Sequence, residues 1–150
     1  MKSFIINSVA FVAVAATILS FAPSFGGEGF EIALDSKVVI QKYGPNIGEV
    51  SSLQLNQSAV NAQITVKYHH CGRVGKNRVI SIKDGQNKTM KEWHFADVAT
   101  PVGAMSCNVK DIFGLKKGTS GSLKLYYSSS ELPNGRLLTN IVLGNIVAKK

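Results

Sequence analysis

From Gly29 onward the chain is cut into short runs of alternating apolar and polar residues, separated by turn-forming residues at intervals of roughly eight to twelve. Phe30, Ile32 and Leu34 alternate with Glu31, Ala33 and Asp35, and Ile64, Val66, Tyr68 and His70 alternate with Thr65, Lys67 and His69. A period of two places each set on its own face of a half-buried strand. Residues 30–34 and 38–43, joined across Asp35-Ser36, predict a tight hairpin. Gly44-Pro45-Asn46 breaks the chain, and Leu53 and Leu55 mark a third short strand. Further strands are expected over 63–70, 78–83, 89–95, 122–127 and 136–147, with a hairpin-like turn at Lys83-Asp84-Gly85-Gln86-Asn87-Lys88 and the last strand following Pro133-Asn134-Gly135. Ile80 and Ile82 should face inward, with Val79, Ser81 and Lys83 outward; Trp93 and Phe95 should also face inward. One short helix fits between strands. Asn108 would cap it, Asp111 and Lys116-Lys117 would suit its two ends, Ile112 and Leu115 would be buried, and Gly118 would stop it. The expected architecture is all-β: a single β-sandwich of seven or eight antiparallel strands, immunoglobulin-like or jelly-roll-like, with one short helix.

Ahead of the strands lies MKSFIINSVAFVAVAATILSFAPS, in which Lys2 precedes an apolar stretch from Val9 to Leu19 and small residues follow. That is the layout of a secretory signal. Cleavage after Ala22 obeys the small-x-small rule but leaves Pro23 at the new terminus; cleavage after Ser24 also fits. The alternative is an uncleaved anchor, against which Asn7, Ser8, Thr17 and Ser20 dilute the apolar stretch. The organisation expected is a signal peptide over 1–24 and a β-sandwich domain over 25–150, secreted or periplasmic. No transmembrane segment would remain after cleavage.

Two cysteines, Cys71 and Cys107, fall in the mature part. In an oxidising compartment such a pair commonly bonds, and closing a loop of about 36 residues would contribute roughly 3–4 kcal/mol. Free thiols or metal ligands are the other readings. Charge is the one compositional anomaly. The formal net charge is +8, and between Lys67 and Lys91 the cations Lys67, Arg73, Lys76, Arg78, Lys83, Lys88 and Lys91 face the single acid Asp84. A polyanion site would use the glycine-rich turn over 72–75 to bring backbone amides to an anion, with Arg73, Lys76 and Arg78 around it. The competing reading is a solvated hairpin face that discourages edge pairing.

Other chemistry finds less in the residues. His69 and His94 share outward parity and, with a free cysteine, are the candidates for a copper or zinc site. Close ligand pairs such as Cys-x-x-Cys are missing, and no histidine follows Cys107. Gly118-Thr-Ser-Gly-Ser lacks the closing glycine of a nucleophile elbow, no His-Glu-x-x-His occurs, and the carboxylates are scattered singly. No enzyme and no cofactor is expected. Nucleic acid is disfavoured because Tyr68 and Trp93 should point inward, away from any base.

The stretches PSFGGEGFEIALDSKVVIQKYG, YHHCGRVGKNRVISIKDGQNKTMKEWHF and SSELPNGRLL resemble an uncharacterised family of small exported proteins from Bacteroidota-type bacteria. The resemblance implies a bacterial envelope or secreted location, and so no glycan on Asn56 or Asn87. It implies no activity and carries no site residues. The expected function is therefore an exported, non-enzymatic binding or envelope-associated module whose partner is an anionic glycan, a membrane surface or another exported protein. A periplasmic copper- or zinc-binding protein is the alternative.

Overall fold

A computed structural model describes residues 27–118 and 122–144; the expected signal peptide over 1–24 and the end of the last expected strand lie outside the described residues. Among the described residues nine strands form two sheets: β1 (Gly29–Leu34), β2 (Lys37–Tyr43), β3 (Ser52–Leu55), β4 (Gln63–His69), β5 (Arg78–Lys83), β6 (Thr89–Phe95), β7 (Met105–Asn108), β8 (Leu123–Ser129) and β9 (Leu132–Leu143). One sheet has the order β2-β1-β4-β7 and the other β3-β9-β8-β5-β6. Among the described residues one short α-helix, α1 (Val109–Gly114), follows β7.

The period-two pattern does what alternation requires. In β4, Ile64, Val66 and Tyr68 are buried while Gln63 and Lys67 are exposed. In β8, Leu123, Leu125 and Tyr127 are buried. The inner faces of both sheets feed one hydrophobic core, with Phe30, Ile32, Ile64 and Met105 from the first meeting Leu55, Ile80, Ile82 and Leu125 from the second. Each such side chain contributes roughly 1.5–3 kcal/mol by leaving water. Ser81, read as outward, is only 6 % exposed.

Local chemistry sets the hairpins. Asp35 and Ser36 both take positive φ, 46° and 69°, as a two-residue hairpin with the right twist demands. The turn is pinned from the side, because Asp35 Oδ1 accepts from the Gln63 amide at 2.9 Å and the Asp35 amide donates to the Gln63 carbonyl at 3.0 Å. Between β5 and β6, Asp84 Oδ1 accepts from the amides of Gln86 and Lys88, both at 2.9 Å. That carboxylate organises its own turn.

Four expectations need correction. The strands are not all antiparallel, because β3 runs parallel to β9, with Leu53 opposite Ile141. The chain leaves β2 through a 3-10 turn over Gly44–Gly48, joins the other sheet, and pairs along the last four residues of β9. β7 is a strand that the sequence reading left out; four residues with Met105 and Cys107 buried are too few to stand out as a period. β9 begins at Leu132, so Pro133-Asn134-Gly135 lies inside it. The proline is tolerated because β3 pairs with Asn140–Leu143, leaving the start of β9 an edge among the described residues, and Gly135 takes a φ of 70° at the accompanying irregularity. Asn108 stands at the N-cap of α1, but its side chain does not cap; it accepts from Gln63 Nε2 at 3.4 Å instead. Val109 and Ile112 are the buried helix residues, with Leu115 packed at the edge of the core.

Candidate anion-binding face

The glycine-rich connection between β4 and β5 leaves two of the three expected contact residues in solvent and the third buried at its end. Arg73 and Lys76 are exposed, whereas Arg78, the first residue of β5, is 5 % exposed. Its guanidinium donates from Nη1 to the Gly103 carbonyl at 2.9 Å and from Nη2 to the Ala96 carbonyl at 2.8 Å. A Cβ on Gly103 would stand 2.6 Å from Nη1, so the loop needs glycine for that approach. Arg78 thus ties the β6–β7 loop to β5 and is turned away from any surface ligand. The amides of this connection are engaged as well. Arg73 N donates to the His70 carbonyl at 3.1 Å, Lys76 N to Glu131 Oε2 at 2.9 Å, and Asn77 N to Asp97 Oδ1 at 2.9 Å. The Lys76 amide is the main reason the Glu131 carboxyl sits below its ordinary pKa. Where an outside anion would approach Lys76 and Asn77, the chain's own carboxylates already bind.

Beneath this connection lies a polar cluster linking β4, β8 and β9. His70, 5 % exposed, shares Nε2 with the Tyr127 hydroxyl at 2.8 Å and the Ser129 hydroxyl at 3.3 Å. Burial pushes its pKa down; Glu131 and Glu28 oppose that shift and Arg73 adds to it. Beside it, the Tyr68 hydroxyl donates to Glu28 and accepts from Arg136 Nε at 2.8 Å, while Arg136 Nη2 reaches Glu28 at 3.2 Å. Tyr68 and Tyr127 stack at 4.2 Å. A Cβ on Gly75 would lie 2.9 Å from the Tyr127 hydroxyl, so the connection closes directly over these groups. Their polar atoms satisfy one another, which is what buried polar groups require.

The expected disulfide is absent: Cys71 is free and exposed, and Cys107 is free and buried. Cys107 lies opposite Ile64, near the start of β4, while Cys71 follows the far end of that strand. At about 3.3 Å per residue the two are roughly 20 Å apart along β4, far beyond the roughly 7 Å that a disulfide spans. Burial pushes the Cys107 thiol up to about 12, with Asp111 adding to the shift. The two candidate metal ligands are also apart. His69 is on β4, against Tyr43 at 3.4 Å, and His94 is on β6 in the other sheet, paired with Glu92 at 3.5 Å. Among the described residues no three of His, Cys, Asp and Glu gather as a metal-binding group.

The structure assembles a different basic cluster on the outer face of the five-stranded sheet. Lys83 of β5 stands directly opposite Lys124 of β8, and Lys88 occupies the adjoining turn. Like charges facing across neighbouring strands repel, and both side chains turn to neutral partners. The Lys83 ammonium lies 4.3 Å from the centre of the Tyr126 ring, and Lys124 donates to Asn87 Oδ1 at 2.8 Å. The ion pairs of the described residues are Lys42–Glu49, Lys91–Asp111, His94–Glu92 and Arg136–Glu28, and none involves these three lysines. Asp84, the nearby acid of the turn, is bound to backbone amides. Lys83 and Lys88 belong to the basic stretch read from sequence, although neither was singled out as a contact. Lys124 was missed, because only strand register reveals its position opposite Lys83.

A shallow depression of about 180 Å³ lies on the other sheet's outer face, lined by Glu31, Ala33, Ser36, Val38, Thr65 and Lys67. Its carboxylate, Glu31, already accepts from Gln41 at 2.8 Å and Tyr43 at 2.9 Å.

Comparison with known proteins returns no matching protein-family model and no similar curated protein.

Proposed function

We propose that this chain is an exported, non-enzymatic binding module, secreted or periplasmic, built on a β-sandwich and directed at an anionic partner. The observation that carries the reading is the Lys83–Lys124 pair: two ammonium groups on adjacent strands, with Lys88 beside them, held by neutral groups and with no carboxylate counterion among the described residues. An anion arriving there relieves a repulsion that the fold otherwise bears. The resemblance to small exported proteins of Bacteroidota-type bacteria supports the envelope or extracellular setting. The non-enzymatic part is supported by the fate of His70 and Tyr127, whose polar atoms are spent on one another beneath the Gly75 connection.

Strand order favours the immunoglobulin-like form of the sandwich. Taking β1, β4 and β7 as strands A, B and E, and β5, β8 and β9 as C, F and G, reproduces the neighbour relations of that fold, with β6 in the added C′ position. The metal-binding alternative gains nothing from His69 and His94 being on different sheets.

The test is retention of the exported protein on an immobilised polyanion as salt is raised. Retention that falls steeply with salt supports an electrostatic partner; passage without retention even at low salt refutes the reading.

A further inference from the structure

We propose that the partner is a linear acidic glycan lying across the strands of the five-stranded sheet's outer face, with one carboxylate or sulfate group between Lys83 and Lys124. This rests on the anionic-partner reading above and names the ligand class and its placement.

The pairing register supplies the track. Ser52 of β3 is opposite Asn140 of β9, Asn140 is opposite Lys124 of β8, and Lys124 is opposite Lys83 of β5. Leu53, Ile141, Leu123 and Ile82, each next in sequence to one of these residues, are buried. Alternation therefore turns all four members of the row outward. The row runs perpendicular to the strands for roughly 14 Å at the usual strand spacing. It offers a hydroxyl, an amide and two ammonium groups in sequence. A sugar chain that presents hydroxyls next to one acidic group matches that order of partners, with Ser52 and Asn140 for the hydroxyls and the two lysines for the acid.

The same face is poorly suited to the other polyanions. Tyr126 is the aromatic side chain beside the lysines, and the Lys83 ammonium lies over its ring, so a nucleobase would have to displace that cation to stack. For a lipid surface the basic residues would need an apolar group to bury. Of the exposed large hydrophobic residues described, Val142 alone belongs to the strands β3, β9, β8 and β5 that carry this row.

The experiment titrates the exported protein with oligogalacturonate at low salt, in parallel with phosphatidylglycerol vesicles and single-stranded DNA. The protein is used as wild type and as three double variants that remove equal charge: K83Q/K124Q, R73Q/K76Q and K37Q/K67Q. Loss of two charge-assisted contacts should weaken the glycan about tenfold or more in K83Q/K124Q, with the other two variants near wild type. Amide shifts induced in the wild-type protein should centre on Lys83, Lys124 and Asn140. Equal weakening in all three variants, or shifts centred on residues 71–77, overturns this placement while leaving an anionic partner in place. Binding of vesicles or DNA in preference to the glycan overturns the ligand class. Failure to bind any of the three probes removes the anionic-partner reading itself.

Discussion

Arg78 and His70 show how a residue's role follows from what covers it. By composition Arg78 belongs to a basic stretch; in the fold its guanidinium is sealed against the Gly103 and Ala96 carbonyls. Replacing it by Gln leaves both carbonyls without a charged donor. Arg78→Gln should then lower unfolding free energy by about 2–3 kcal/mol in chemical denaturation. A loss below half a kcal/mol would contradict the role. His70 ties stability to pH. Its folded pKa is lowered, chiefly by burial, so the unfolded chain binds the proton more readily. Its contribution is present above the ordinary histidine pKa of about 6.5 and is lost as pH falls through the folded value. Denaturation midpoints measured downward from neutrality should fall, and His70→Gln should flatten that part of the profile while leaving the carboxylate-driven loss at lower pH.

At the scale of elements, turns and edges divide the work. The β1–β2 hairpin is held by a two-residue turn with both φ values positive, and Ser36 bears that conformation without being glycine. Ser36→Gly should stabilise the protein by about 0.5–1 kcal/mol, because a side chain in the left-handed region costs more than the added chain freedom. Asp35→Ala should instead cost about 1 kcal/mol, since the Gln63 amide loses its acceptor. Thermal melts of the two variants should move in opposite directions. Both hairpins that carry an aspartate in the turn were legible from sequence, because the determinants are adjacent in the chain. β7 and the start of β9 were not legible, since their pairing with β4 and β8 decides them, over residues too few or too irregular to show a period.

For the whole molecule, the two-sheet core separates the thiols and gathers the lysines. Native protein should alkylate at Cys71 alone, and Cys107 should react only on unfolding, since it is buried and its thiol is pushed up to about 12. Intact mass before and after denaturation checks this; a mass two hydrogens low and resistant to alkylation without reductant would mean a bonded pair and a different strand arrangement. The basic surface has its own signature. Lys83 and Lys124 repel one another on adjacent strands, so K83Q/K124Q should melt no earlier than wild type, and modestly later at low salt. A variant that loses the ligand while keeping its stability separates recognition from folding.

The sequence alone determined the all-β class, the inward faces of the main strands, the two aspartate turns, the short helix near Asn108 and an excess of cations between Lys67 and Lys91. Each of these depends on residues close together in the chain, through period-two alternation, turn chemistry or local composition. Tertiary structure decided what requires distant segments to meet. It set β3 parallel to β9, placed Cys71 and Cys107 at opposite ends of β4, buried Arg78 under a loop and put His69 and His94 on different sheets. It also brought Lys124 opposite Lys83. Alternation says which face a side chain takes, while register, fixed by how the strands pack against one core, says which neighbours share that face.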